Sequence, residues 1–434
     1  MALPDPLPIE PLGGPVDATV SPPGSKSLTN RALVCAALAE GESRLRHALR
    51  ADDVAAMQDG LRALGVEVRV TSEVDGDDDD IQVVGCGGRP PATVAIADAH
   101  LSGTTSRFLL PVAALAAGTI RVDGALPLRA RPMGPSIEAL RALGVTVTEA
   151  GGPGHLPVDV SDGPVAGGEI TVPGDASSQF LSGLLLAGPA MRTGLTVRVE
   201  GTLVSRPYVD MTVAVMAAFG VTVDRPDDRT WRIEPQTYVA TSYEIEPDAS
   251  AASYAFAVPA IVGGTVRVDG LGSASLQGDV AFVDLLARMG ARVEQTATST
   301  TVHGTGRLLG IEADLSAISD TAQTLAAVAA FADGPTRITG IGFIRRKETD
   351  RVAAMVTELR RVGVDAEEEA DGIVVRPGPI RAATVETYDD HRMAMAFALL
   401  GLRAPGIAIA DPGCVAKTYP GFWRMLASLR DSGK

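Results

Sequence analysis

LRALGVEVRV (Leu61–Val70) and LRALGVTVTE (Leu140–Glu149) decide the fold. In each, apolar residues at helical spacing run up to a glycine and are followed by alternating apolar and polar residues. That is the signature of a helix closed by a left-handed cap and entering a strand. The phrase returns as MAAFGVTVD (Met216–Asp224), LARMGARVE (Leu286–Glu294) and LRRVGVDAE (Leu359–Glu367), with its glycines at 65, 144, 220, 290 and 363. A second phrase, Gly followed by a small residue and then period-2 alternation, interleaves with it: GESRLRH from Gly41, GTIRVDG from Gly118, GLTVRVEG from Gly194, GTVRVDG from Gly264, GPTRITG from Gly334 and GIAIAD from Gly406. Two phrases sharing one period of 70–79 residues define a repeated supersecondary unit in six copies.

Ahead of each copy of the second phrase lies an alanine-rich segment that is apolar nearly all round: 27–38, 104–117, 177–186, 249–262, 320–332 and 391–402. Helices of that kind are buried, whereas those ending at the first phrase carry a polar face. The expected fold is therefore α/β, with six βαβαββ-type units, three per domain, and the apolar helices inside. The sixth unit ends at an amphipathic helix over 421–430 with no strands after it, while strand-like residues 9–20 precede the first helix. This imbalance predicts that residues 1–24 add strands to the C-terminal domain, 245–434, and that 25–244 form the other domain. The chain would then cross between domains near Gly24 and near Tyr243, which makes a hinge.

Composition narrows the function. With 46% hydrophobic and 21% charged residues the chain has ample material for globular cores. The net charge of −15 repels nucleic acid and anionic membranes, so neither is an expected partner. Three cysteines, Cys35, Cys86 and Cys414, are too scattered for a disulfide framework or a metal ligand set, and imply a reducing compartment. No basic-apolar leader precedes the first strands, and the longest apolar run, about Phe108 to Ile120, is broken by Pro111. A cytoplasmic monomer without metal or organic cofactor is expected.

The apolar helices open with GSKSLTNR (24–31), LSGTTSR (101–107), GDASSQ (174–179), PDASAAS (247–253), SDTAQT (319–324) and YDDHR (388–392). Ser, Thr and Asp at such places are ordinary N-caps. Lys26, Arg107, His391 and Arg392 are not ordinary there, because the helix dipole disfavours positive charge in a first turn by ~0.3–1 kcal/mol. Anions bound at the same helix ends would compensate. Loop cations recur at one phase of the repeat: Arg129 and Arg131, Arg206 beside Ser205, Arg345, Arg346, Lys347 and Arg351, and Lys417. Asp320 and Glu348 lie among these cations and are candidates for proton transfer.

Taken together, GSKSLTNRALVCAALA (24–39), SSQFLSGLLLA (177–187), LVSRPYVDMT (203–212), KETDRVAAMVTELR (347–360), YDDHRMAMAFALL (388–400) and CVAKTYPGF (414–422) resemble, in order, the motif series of the 5-enolpyruvylshikimate-3-phosphate synthase family. The resemblance implies a two-domain inverse α/β barrel. It implies transfer of the enolpyruvyl group of phosphoenolpyruvate to the 5-hydroxyl of shikimate 3-phosphate by addition and elimination, without metal. By the same resemblance Lys26, Ser27, Arg31, Ser177, Ser178, Gln179, Ser205, Asp320 and Lys347 hold shikimate 3-phosphate. Lys26, Gly103, Arg131, Gln179, Arg351, Arg392 and Lys417 receive phosphoenolpyruvate. Asp320 is the implied proton acceptor and Glu348 the donor, with Lys26 as a further catalytic group.

Three positions depart from the family pattern: Leu101 and Ser102 stand where Asn and Ala are common, and Phe343 replaces an Asn. The alternatives are the sister transferase acting on UDP-N-acetylglucosamine, which uses a loop cysteine absent beside Arg107, Arg129 and Arg131, an RNA 3′-phosphate cyclase, and a non-catalytic anion-binding protein. The cyclase is opposed by the net charge and by the lack of a P-loop. The acidic run Asp77–Asp80, between two strand-like stretches, is expected to form a hairpin tip.

Overall fold

The computed structural model describes residues 3–72, 76–161, 163–175 and 177–430. The chain folds into two compact units: Gly24–Ile245 forms one, and residues up to Pro23 with those from Glu246 onward form the other. Each has its own hydrophobic core.

Each unit is built on three inner helices. In the first they are α1 (Lys26–Leu38), α2 (Gly103–Ala113) and α3 (Ser178–Ala187); in the second, α4 (Ala249–Val262), α5 (Ala322–Ala329) and α6 (His391–Gly401). The α2, α5 and α6 helices are buried at every residue, as their all-round apolar sequences require. Such side chains as Phe108, Leu184 and Phe397 contribute ~1.5–3 kcal/mol each by leaving water. Observed ends differ from the sequence reading where the backbone tightens. The 104–117 segment is helical only over Gly103–Ala113, and the 320–332 segment starts with a 3₁₀ turn, Ser319–Thr321, before α5.

The sheets lie outside the helices and share one plan. In Gly24–Ile245 the strand orders are Ser242–Glu244, Glu42–Leu49, Asp78–Val84, Glu67–Ser72; then Val94–Asp98, Thr119–Asp123, Val158–Ser161, Thr146–Glu149; then Gly168–Pro173, Leu195–Glu200, Thr230–Ile233, Asp224–Asp227. The other unit has Val16–Val20, Gly264–Asp269, Ser299–Gly304, Arg292–Gln295; Glu312–Asp314, Thr336–Thr339, Gly372–Arg376, Asp365–Glu369; and the three-stranded Ala383–Val385, Ile407–Ile409, Leu7–Pro8. In every sheet the first pair is parallel and the second antiparallel. One face is buried, as the alternating exposure of Gly168–Pro173 shows. The glycines at 65, 144, 220, 290 and 363 all adopt positive φ between helix and strand, the cap their phrase called for.

The N-terminal strands belong to the second unit: Val16–Val20 pairs in parallel with Gly264–Asp269, and Leu7–Pro8 runs antiparallel to Ile407–Ile409. The acidic run does lie at a hairpin, between Glu67–Ser72 and the antiparallel strand Asp78–Val84, but only Asp77 falls in the connection. Asp78–Asp80 are not a tip but the start of strand Asp78–Val84, paired with Thr71 and Ser72 on one side and with Ala48 and Leu49 on the other. Residues 73–75 lie outside the described residues. Among the described residues no helix is long and apolar enough to cross a membrane, and no cluster of three His, Cys, Asp or Glu is placed to hold a metal.

Candidate active site

The inner helices open with side-chain caps at five of six places. Ser25 accepts from Leu28 N–H, Ser102 from Thr105 N–H, Ser177 from Gln179 N–H, Asp248 from Ala251 N–H and Asp390 from Arg392 N–H. Each cap satisfies one of the four N–H groups that a helix start leaves over, so the rest still face outward along the axis. Cations gather at the same ends in both units.

In Gly24–Ile245, Lys26 is the first residue of α1, and its Nζ lies 3.2 Å from the Oδ2 of buried Asp53. Ser27 follows, half-buried, and its carbonyl accepts from Arg31 at 2.8 Å. Arg31 is buried. Its Nε donates to Thr212 Oγ1 at 2.8 Å, a further N–H donates to the Tyr208 carbonyl at 3.0 Å, and its guanidinium lies over the Phe108 ring. Burial pulls this guanidinium down to about 10. Thr212 in turn meets Ser182 Oγ at 2.9 Å, so Arg31 ties α1 to the Arg206–Ala218 helix and to α3.

Gly103 begins α2 directly beneath Arg131. A Cβ there would come within 2.8 Å of both terminal guanidinium nitrogens, so only glycine lets the arginine lie against the helix start. Ser177 and Ser178 lead into α3. Gln179 in its first turn accepts from Arg107 at 2.6 Å and donates to Thr104 Oγ1 at 3.0 Å, joining α2 to α3. Ser205, before the Arg206–Ala218 helix, holds a left-handed φ of 53°, a strained conformation for a non-glycine residue.

In the other unit five expected residues form one network. Arg351, 2% exposed, donates to Glu348 Oε2 at 2.8 Å and to Asp390 Oδ2 at 2.7 Å and Oδ1 at 3.2 Å, with Asp320 Oδ1 3.5 Å away. Arg392 donates to the carbonyl of Asp320 at 2.9 Å and to its Oδ2 at 2.7 Å. Lys417 Nζ lies 3.1 Å from Glu348 Oε1. Burial works against the charge on Arg351, but Asp390, Glu348 and Asp320 outweigh it and hold its pKa above the usual value. Lys347 is half-buried between the Gly342–Arg346 turn and Glu348.

Other flagged cations are engaged elsewhere. Arg129 forks onto Asp123, Arg206 pairs with Asp210 and Asp228, and Arg345 bridges Asp350 and Glu368. Of the three departures from the family motif, Phe343 packs against the hydrophobic core of its unit, Leu101 is exposed, and buried Ser102 is the cap of α2. Sequence reasoning missed two buried carboxylates, Asp53 behind Lys26 and Asp390 behind Arg351. A signal existed for Asp390, an acidic cap immediately before His391 and Arg392. None existed for Asp53, which reads as an ordinary first-turn acid.

The structure superposes on the enolpyruvyl transferase NikO of Streptomyces tendae with a TM-score of 0.77 at 21% identity, covering 97% of this chain and 96% of that one, a likeness of fold. It also matches the EPSP synthase of Acinetobacter baumannii with a TM-score of 0.80 at 25% identity, covering 97% of each chain. Residues 12–426 fit the family model EPSP synthase (3-phosphoshikimate 1-carboxyvinyltransferase). Proteins named 3-phosphoshikimate 1-carboxyvinyltransferase are 45% identical in Nostoc sp., over 98% of this chain and 100% of that one, and 43% identical in Methanoculleus marisnigri, over 95% and 97%. The chain belongs to the EPSP synthase family.

Proposed function

We propose that the chain carries out the reaction for which its family is named, moving the enolpyruvyl group of phosphoenolpyruvate onto the 5-hydroxyl of shikimate 3-phosphate and releasing phosphate. In this reading it works in the cytoplasm as a monomer without metal or organic cofactor. The observation that carries the residue roles is the network of Asp320, Glu348, Arg351, Arg392 and Lys417, in which two carboxylates share three cations with buried Asp390.

Two polyanionic substrates repel each other, and at ~4 Å each unit-charge pair costs roughly 4 kcal/mol at an effective dielectric of about 20. Arg351, Arg392, Lys417, Arg131, Gln179 and Lys26, with the backbone at Gly103, take phosphoenolpyruvate, because guanidinium forks match carboxylate and phosphate oxygens. Lys26, Ser27, Arg31, Ser177, Ser178, Gln179, Ser205, Asp320 and Lys347 take shikimate 3-phosphate. When the substrate anion engages Arg392 and Lys417, Asp320 and Glu348 each lose one of their two cation partners and keep only Arg351, which frees Asp320 Oδ2 and Glu348 Oε1 for proton transfer.

In the addition step Asp320 accepts the 5-hydroxyl proton as that oxygen attacks C2, while Glu348 delivers a proton to C3. In elimination the carboxylate of Glu348 takes a proton back from C3, the C2–O bond to phosphate breaks, the phosphate carries away the proton that Asp320 had accepted, and the C2–C3 double bond is restored in the product. Lys26 supports the charge that develops on the departing phosphate. Glu348→Gln keeps size and hydrogen bonding but cannot exchange the proton, so kcat should fall by roughly 10² to 10⁴. Calorimetric titration of shikimate 3-phosphate should change little. A near-normal kcat in that variant would remove Glu348 from the chemistry.

A further inference from the structure

Glu358 is wholly buried on the Arg351–Arg361 helix, yet it lies far along the helix from the ion-pair network and no step above uses it. Its partners are specific. Oε2 accepts from the Glu386 N–H at 3.0 Å and from Arg361 Nε at 2.7 Å, while Oε1 accepts from the Tyr388 hydroxyl at 2.7 Å. Seven positions earlier on the same helix, and so on the same face, Arg351 grips Asp390 through both carboxylate oxygens. One helix face therefore holds both ends of the 386–390 segment.

Between those two grips the backbone is in an unfavourable state. Tyr388 and Asp389 adopt consecutive left-handed conformations, with φ of 56° and 55°, and the Asp390 N–H closes the turn onto the Thr387 carbonyl at 2.9 Å. Neither residue is glycine, and two such conformations persist only where surrounding contacts over-determine them. The turn delivers Asp390 as the cap of α6 and sets the direction in which Arg392 leaves the first turn toward Asp320.

We infer that Glu358 is a positioning residue for phosphoenolpyruvate: by fixing the Tyr388–Asp389 turn it aims Arg392. This rests on the reading that Arg392 receives phosphoenolpyruvate. Glu358→Gln keeps the side chain's volume but replaces one acceptor oxygen with a donor and removes the charge, so either the Tyr388 hydroxyl must turn from donor to acceptor or the Glu386 N–H and Arg361 Nε lose their acceptor. Tyr388→Phe removes one hydroxyl from a residue that is 39% exposed. A misplacement of about 1 Å at a reacting group costs up to about 10²-fold. Glu358→Gln should therefore raise KM for phosphoenolpyruvate by about tenfold to 10²-fold and leave the calorimetric affinity for shikimate 3-phosphate within about twofold. Tyr388→Phe should shift KM in the same direction by less, and the double variant should be no worse than Glu358→Gln, since both act through one turn.

A folded Glu358→Gln with unchanged KM for phosphoenolpyruvate, whatever its thermal midpoint, overturns the proposal, as does equal weakening of both substrates or full additivity in the double variant. If Glu358→Gln does not fold, Tyr388→Phe decides, and an unchanged KM there overturns it. Arg392→Ala, measured in parallel, separates the two claims. If it raises KM for phosphoenolpyruvate while Glu358→Gln does not, only the positioning role falls; if Arg392→Ala itself leaves KM unchanged, both fall.

Discussion

Gly103 and Asp78 show how much one side chain can settle. At Gly103 a methyl group would collide with the Arg131 guanidinium, and the arginine, being the flexible partner, would yield. Gly103→Ala should leave the thermal midpoint nearly unchanged while raising KM for phosphoenolpyruvate several-fold; an unaltered KM would take Arg131 out of the site. Asp78 accepts from the Gly24 N–H at 2.7 Å, where the chain enters its first unit. Burial is the largest influence on its carboxyl, with Asp77 and Asp79 adding and Gly24 and His47 opposing, and raises it to about 6. An acid whose folded pKa exceeds its unfolded value of about 3.9 gives stability that is intact below about pH 4 and lost as pH climbs to about 6. Asp78→Asn, whose carbonyl can still accept from Gly24, should therefore gain stability relative to the parent between pH 4 and pH 7.5, read by urea unfolding. A flat difference across that range would mean that the carboxyl is not shifted. Residues of this kind were hard to read in advance because their partners are distant in the chain. Lys26 finds Asp53, and Arg351 finds Asp390, only after helices pack.

At the scale of elements the inner helices touch at close range. Gly183 on α3 faces the carbonyl of Arg107 on α2, and an added Cβ would lie 2.4 Å from that oxygen. Backbone cannot swing aside as a side chain can, so Gly183→Ala should cost about 1–3 kcal/mol. That corresponds to about 2–4 °C of thermal midpoint per kcal/mol for a unit of this size, and an unchanged midpoint would show that the helices separate freely. The fold class was legible at this scale because its signals are local: a glycine cap, a switch from helical to alternating spacing, an alanine-rich segment apolar all round. Helix ends were less legible. The 320–332 segment spends its first turn as 3₁₀, and nothing in SDTAQT distinguishes that from an ordinary helix start. The loop cations were legible as a recurring set but not as partners. Arg129 goes to Asp123, and Arg345 to Glu368, because turns and strand placement bring them together. The Asp77–Asp80 run misled for a similar reason: strand pairing with Thr71, Ser72, Ala48 and Leu49 overrode the low strand preference of aspartate.

At the scale of the whole molecule the two units differ in how they are threaded. Gly24–Ile245 is one continuous stretch, while the other unit needs residues up to Pro23 as well as those from Glu246 onward. A fragment of residues 24–245 should fold by itself, with cooperative thermal unfolding and native-like circular dichroism. A fragment of residues 246–434 lacks Val16 and Val20, both buried, and leaves the edge of Gly264–Asp269 without its parallel neighbour. It should be poorly soluble, and joining residues 1–23 to it through a flexible linker should restore a cooperative transition. Independent folding of 246–434 would refute the dependence. The same threading sets a timetable on the ribosome. Val16–Val20 is made well before its partner Gly264–Asp269, which follows about 240 residues later, and Ile407–Ile409, which receives Leu7–Pro8, comes later still. At a synthesis rate of about 5–20 residues per second the earlier strand waits on the order of tens of seconds, during which the continuous unit can finish folding. The earlier strands must stay unattached for that interval, and the later ones call them home.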